Sequence, residues 1–124
     1  MSYPIASTTC NSTYTGSYGV SKHYISTFNV GGSKIAVFSM HLLAFPDDQN
    51  RCVQREAQAT VMQQAITPYV NNGYEIIVIG DLNDFDSSVI DANGNKPISQ
   101  VGDILRGKGT SWSLTNVPPE RTIL

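Results

Sequence analysis

Asp81 and Asn83 stand two residues apart in Gly80-Asp81-Leu82-Asn83-Asp84, directly behind the apolar run Glu75-Ile76-Ile77-Val78-Ile79. A carboxylate only accepts hydrogen bonds, so it suits a divalent cation or an attacking water. A carboxamide both donates and accepts, which suits a phosphoryl oxygen. The β-branched run reads as a buried strand. The pair therefore falls where that strand ends, the place at which open α/β sheets bind ligands. Alternate residues of an extended chain share a face, so both side chains are expected to aim at one point. A third candidate is His41, at the end of the strand-like run before Leu42. Each has a plainer explanation. Gly, Asp and Asn favour turns for backbone reasons alone, and a histidine at a strand end is commonly half-buried and satisfied by backbone groups. A Gly-Asp-x-Asn tetrapeptide arises by chance in roughly one chain in fifty of this length, so the motif needs support from the rest of the sequence.

Composition narrows the classes. The chain has 124 residues, 40% hydrophobic and 15% charged, with a net charge of −2. That is one domain or part of one, with enough apolar material for a core. The charge argues against the broad basic face of a dedicated nucleic-acid-binding module, but not against an enzyme that grips one phosphate. No run approaches the roughly 20 apolar residues of a membrane span, and the first residues do not resemble a signal peptide. Asn11-Ser12-Thr13 is an N-glycosylation pattern that tilts the reading toward an extracellular or secretory location. Cys10 and Cys52 lack metal-ligand spacing, and by themselves leave buried thiols and a bridge both open.

The elements that must position the candidates can be read in outline. Residues 1–19, rich in Ser, Thr, Tyr and Gly, read as loop. Tyr24 to Val30 and Lys34 to Met40 read as strands joined across Gly31-Gly32 as an antiparallel hairpin. Pro46-Asp47-Asp48 opens a helix whose apolar stripe is Val53, Ala57, Val61 and Ala65. Pro68 is expected to end or kink it, and Asn71-Asn72-Gly73 to turn into the next strand. After the Asp81 motif, 91–94 reads as loop and 98–105 as a short helix. Strand, hairpin, helix, strand, loop and helix make an α/β domain. The tail from Val117 through Pro118-Pro119 to Leu124 reads as a turn into a strand, which carries the expectation of a domain cut short.

Several separate stretches then point one way. Gly19-Val20-Ser21-Lys22-His23-Tyr24, Phe38-Ser39-Met40-His41-Leu42, Leu43-Ala44-Phe45-Pro46-Asp47-Asp48, Arg51-Cys52, Arg55-Glu56-Ala57-Gln58-Ala59 and Gly80-Asp81-Leu82-Asn83-Asp84-Phe85-Asp86 together resemble the endonuclease/exonuclease/phosphatase superfamily, the group with the deoxyribonuclease I fold. Many spaced matches in order are more specific than any one motif. The resemblance runs from about Tyr3 to Arg121 and implies part of a two-sheet α/β sandwich, incomplete at both ends. It also implies hydrolysis of phosphate esters with a divalent metal, usually Mg²⁺, with Mn²⁺ or Ca²⁺ as alternatives. By resemblance, His41 bonds the scissile phosphate and assists the leaving group. Asp81 positions or deprotonates the attacking water or binds the metal, and Asn83 holds a phosphoryl oxygen. Lys22 sits where a cationic phosphate contact is common, and Cys10 and Cys52 resemble a pair that this branch carries, which leaves a bridge and free thiols both open even in an oxidising compartment.

The departures are as informative. Family members are longer, and their N-terminal part supplies an asparagine and a metal-binding glutamate. Their C-terminal part supplies an Asp-His pair whose histidine is the general base. Only His23 and His41 occur in this chain, and neither follows an aspartate. The resemblance thus covers a single partial domain over 1–124 with part of an active site. The leading expectation is a metal-dependent phosphodiesterase, with nucleic acid the first substrate and a phosphomonoester or phospholipid head group the alternative. The competing expectation is a non-catalytic module that needs a partner segment or associates with itself. Arg51, Arg55 and Glu56 are expected as surface or interlayer ion pairs, individually weak, and Trp112 and the tyrosines as core and surface aromatics without a role.

Overall fold

Gly31 and Gly32, at φ of 58° and 87°, make a two-residue reversal that residues with a Cβ adopt reluctantly. Asn29 steadies it by accepting the Gly32 N–H at 3.1 Å. The flanking runs therefore pair as the antiparallel strands β3 (Tyr24–Val30) and β4 (Ser33–His41), with Val30 opposite Ser33 and Tyr24 opposite Ser39. The structure, a computed structural model, describes residues 2–5, 10, 16–19, 22–85 and 97–117. Within them the order is β1 (Ser2–Ile5), β2 (Gly16–Gly19), β3, β4, α1 (Gln49–Asn71), β5 (Glu75–Asp81) and α2 (Val101–Leu105).

β4 and β5 run parallel, with Ile35 opposite Glu75 and His41 opposite Asp81, and α1 makes the crossover between them. Parallel neighbours need such a crossover, and it brings both carboxyl ends to the same edge of the sheet. The sheet order is β3-β4-β5. Ala36, Phe38 and Met40 of β4 face α1 and form the core with Ala59, Met62 and Ile66. Phe38 meets Tyr69 edge-to-face at 5.5 Å, an arrangement favoured by ring quadrupoles. On the opposite face Tyr24, Phe28, Val30, Ile77 and Ile79 are exposed. The chain is thus an α/β domain with a helix over one face of its three-stranded sheet.

Two expectations are corrected and two are made specific. Residues 1–19 are not all loop, because β1 and β2 pair antiparallel from Ser2 opposite Gly19 to Ile5 opposite Gly16; backbone pairing across ten residues leaves no local period in a Ser/Gly/Tyr-rich run. Pro68 does not end α1, which continues to Asn71. A proline removes one N–H near the C-terminus, and Tyr69 and Val70 packed on the core carry the last turn past it. The stripe Val53-Ala57-Val61 is buried, as its spacing predicts, against a separate cluster with Cys10 and Cys52, while the sheet is met by Ala59, Met62 and Ile66. Finally, of the surface and interlayer alternatives Arg55 takes the buried one, paired with Asp84, and Glu56 is buried beside it: every residue from Cys52 to Ala59 is buried, because this part of α1 is covered on more than one side.

Other features agree with the sequence reading. Asp48 caps α1 by accepting the Arg51 N–H at 2.9 Å, and the 71–73 turn leads into β5 with Gly73 at φ 78°. The sulfurs of Cys10 and Cys52 are bonded, with Cα atoms 5.9 Å apart. The glycosylation pattern, the 91–94 loop and the tail after Val117 lie outside the described residues.

Candidate active site at the carboxyl end of the sheet

His41 and Asp81 are the last residues of β4 and β5 and stand opposite each other in the parallel register. The Leu42 N–H donates to the Asp81 carbonyl at 3.0 Å, which extends the ladder by one rung and fixes the spacing of the two strand ends. Both residues are exposed. Gly80 explains how the strands come this close. It stands at φ 130°, and a Cβ there would lie 2.0 Å from the Met40 carbonyl oxygen. The glycine of the motif is a packing requirement as much as a turn signal.

Asn83 reaches the site by another route than strand alternation. Its φ is 48°, a left-handed conformation, so the alternation argument does not apply to it. The Asp81 carboxylate instead accepts the Asn83 backbone N–H at 2.9 Å, closing an Asx turn. The Asn83 amide then donates to the Leu42 carbonyl at 2.8 Å, tying the loop after β5 to the loop after β4. An amide has two hydrogens, so one is left for a ligand.

The start of β3 arrives at the same end of the sheet. Lys22, at φ 63°, is exposed just before it. His23 accepts the His41 backbone N–H on Nδ1 at 3.3 Å, so its proton is assigned to Nε2. That Nε2 is buried with no partner among the described residues. Burial, and then the nearby His41, lower the His23 pKa and favour the neutral ring. The structure thus gathers Lys22, His41, Asp81 and Asn83 at one sheet end and adds His23. The hairpin register could have found it: reversal at Gly31-Gly32 sets the residues just before Tyr24 beside those following Ser39.

Three further residues support the site from behind. Asp84 follows Asn83 directly and accepts from Arg55 Nε at 3.4 Å; their side chains are 0% and 3% exposed. Asp84 also accepts from the Ser99 hydroxyl. Glu56 accepts the Gln100 N–H at 2.8 Å. For Arg55 and Glu56 the sequence leaves surface and interlayer ion pairs both open, since helical spacing gives no sign that a helix turn is enclosed.

The donor set available to a cation is small. The exposed Asp81 carboxylate and the Asn83 side-chain carbonyl are the hard oxygens at this end of the sheet. Glu56 also lies near Cys10 and Cys52, but the bonded sulfurs have no thiolate to offer and the group is buried; it does not fit a metal. A cavity of about 440 Å³ lies along the other edge of β5, lined by Ile76, Ile79, Leu82, Leu105, Leu114 and Val117. It is apolar and includes none of His41, Asp81 or Asn83, so the candidate site is an open surface at the strand ends. Comparison of the chain with family models, curated proteins and solved structures finds no match.

Proposed function

We propose that the chain is the central part of a metal-dependent phosphodiester hydrolase of the endonuclease/exonuclease/phosphatase type, with a deoxyribonuclease I-like two-sheet sandwich as its complete fold. One observation carries the reading: His41 and Asp81 end two adjacent parallel strands in matched register, and Asn83 is tied to both loops beside them. A general acid, a water-holding carboxylate and an amide donor at one solvent-facing sheet end suit attack on a phosphoryl group.

Each side chain then has a task. Asp81 orients the attacking water through its carboxylate. The free Asn83 amide hydrogen donates to a phosphoryl oxygen as charge builds there. The His41 imidazole donates to the leaving oxygen, and Lys22 contributes a positive charge beside the approaching phosphodiester. Asp81 would hold a Mg²⁺ ion, whose charge would be drawn on to stabilise the phosphoryl oxygens. Mn²⁺ or Ca²⁺ would be held by the same oxygens. Nucleic acid is the proposed substrate, and the Cys10–Cys52 bond supports an oxidising, extracellular or secretory setting.

A second reading is a non-catalytic module that needs a partner segment. The exposed apolar face formed by Tyr24, Phe28, Val30, Ile77 and Ile79 favours it, because patches of this kind normally meet another surface. The sequence membrane-span expectation agrees with the helices: among the described residues none is long and apolar enough to cross a bilayer.

The experiment is plasmid cleavage by the folded chain with Mg²⁺, beside EDTA and Asn83→Ala. The reading expects cleavage that EDTA abolishes and that Asn83→Ala lowers by about 10²–10³, the usual effect of deleting one transition-state donor. No cleavage of DNA, RNA or a small phosphodiester by a folded chain would reject activity in this chain and favour the module.

A further inference from the structure

Arg55 is the largest fully buried side chain among the described residues, and its guanidinium reaches both loops at the carboxyl end of the sheet. On the β4 side it donates through Nη1 to the carbonyls of Leu43, Ala44 and Phe45, at 3.4, 3.4 and 2.9 Å. Nη2 donates to the Pro46 carbonyl at 3.1 Å. On the β5 side Nε donates to the Asp84 carboxylate at 3.4 Å. The planar fork of arginine can serve several acceptors at fixed angles, which an ammonium cannot reproduce.

The two loops share a second property. Each holds a non-glycine residue in the left-handed region, Phe45 at φ 69° and Asn83 at φ 48°. Such conformations persist only where surrounding contacts over-determine them. Phe45 lies among the carbonyls that Arg55 holds, and Asn83 is next to Asp84. Gln58, one turn further along α1, accepts the Leu43 N–H at 3.1 Å and adds to the hold on the first loop. Asp84 in turn accepts its neighbour's N–H, from Phe85, at 2.8 Å.

We propose that Arg55 is a positioning residue which makes the loops after His41 and after Asp81 one cooperative unit, and so sets Asn83 against Leu42; its part in turnover rests on the phosphodiesterase reading above. The guanidinium touches no solvent and cannot meet substrate, so it acts only through the loops. Its charge is balanced by Asp84 and four carbonyl dipoles, as a buried cation requires.

The test is Arg55→Lys in the full chain, which keeps the charge and loses the fork. Amide hydrogen exchange is followed at Leu43, Asn83 and Phe85, whose N–H groups are bonded within the two loops, and at Phe38 and Ile66 in the core. Positioning expects at least tenfold faster exchange at all three loop amides and less than threefold change at the two core amides. Equal acceleration at loop and core amides, as from a general loss of stability, would overturn the proposal, and so would unchanged loop amides. Should Arg55→Lys not fold, Asp84→Asn leaves the four carbonyl bonds in place. It is expected to free Asn83 and Phe85 while Leu43 keeps its protection; protection retained at Asn83 would refute the coupling. Where the wild-type chain hydrolyses a phosphodiester, kcat of Arg55→Lys should fall at least tenfold with KM changed less than threefold. A folded wild-type chain without activity rejects hydrolysis by this chain alone, while the exchange pattern still decides whether Arg55 couples the loops.

Discussion

Replacing Gly80 with alanine should break the site and the sheet together. The new Cβ would stand 2.0 Å from the Met40 carbonyl oxygen, about 1 Å inside the 3.0 Å that real contacts respect. That oxygen belongs to the neighbouring strand and cannot swing aside as a side chain would, so β5 must move away from β4. The φ of 130° adds strain for any residue with a Cβ, about 1–3 kcal/mol. Widening the strands also weakens the rungs next to Gly80, including Leu42 N–H to Asp81 carbonyl, at about 1 kcal/mol each. Together these reach about 3–5 kcal/mol. For a domain of this size that lowers Tm by roughly 10–20 °C. Thermal unfolding followed by circular dichroism, with urea midpoints at 25 °C, measures it. Because His41 and Asp81 are the next pair in register, their NMR resonances should shift even below the transition. A loss under about 1 kcal/mol with unmoved His41 and Asp81 signals would refute the close-approach argument.

Other perturbations give separate checks. The Cys10–Cys52 bond spans 42 residues, so Cys10→Ser with Cys52→Ser should cost about 4 kcal/mol by the loop-entropy relation, read from urea unfolding in non-reducing buffer. Asp48→Ala removes the N-cap of α1 and should cost about 1 kcal/mol, seen in the same assay. His23 has its pKa lowered in the fold, first by burial and then by His41. The unfolded chain therefore binds the proton more readily, and stability should be complete above the ordinary histidine value of about 6.5. It should fall as pH drops through that value toward the lower folded pKa. His23→Gln should flatten the pH dependence as pH falls below about 6.5; an unchanged slope in urea midpoints would refute that assignment.

The sequence by itself determined what local physics can settle. Gly31-Gly32 set the β3–β4 hairpin and its register, because a two-residue reversal with positive φ leaves few ways to pair. Asp48 and the following helix formers set the start of α1. The apolar run 75–79 set β5 and left Asp81 at its end. Asp81 and Asn83 stood out for the same reason, since polar residues after an apolar run mark where chain and solvent meet, whereas His41, followed by Leu42 and Leu43, stood out by the resemblance.

Tertiary structure decided the rest, because it depends on groups distant in sequence. Strand type does not reveal a partner, so the parallel pairing that sets His41 opposite Asp81 came from the α1 crossover. Turn propensity explains a glycine at position 80, yet the reason for it is the Met40 carbonyl forty residues away. Asn83 was expected to share a face with Asp81 by alternation, and it instead turns left-handed to bond Leu42. For Arg55 the sequence left surface and interlayer ion pairs both open, since helical spacing says which side chains are neighbours and not which turn other segments will enclose. Burial is a property of the assembled chain, and only assembly turned that charge into the link between the two loops of the candidate site.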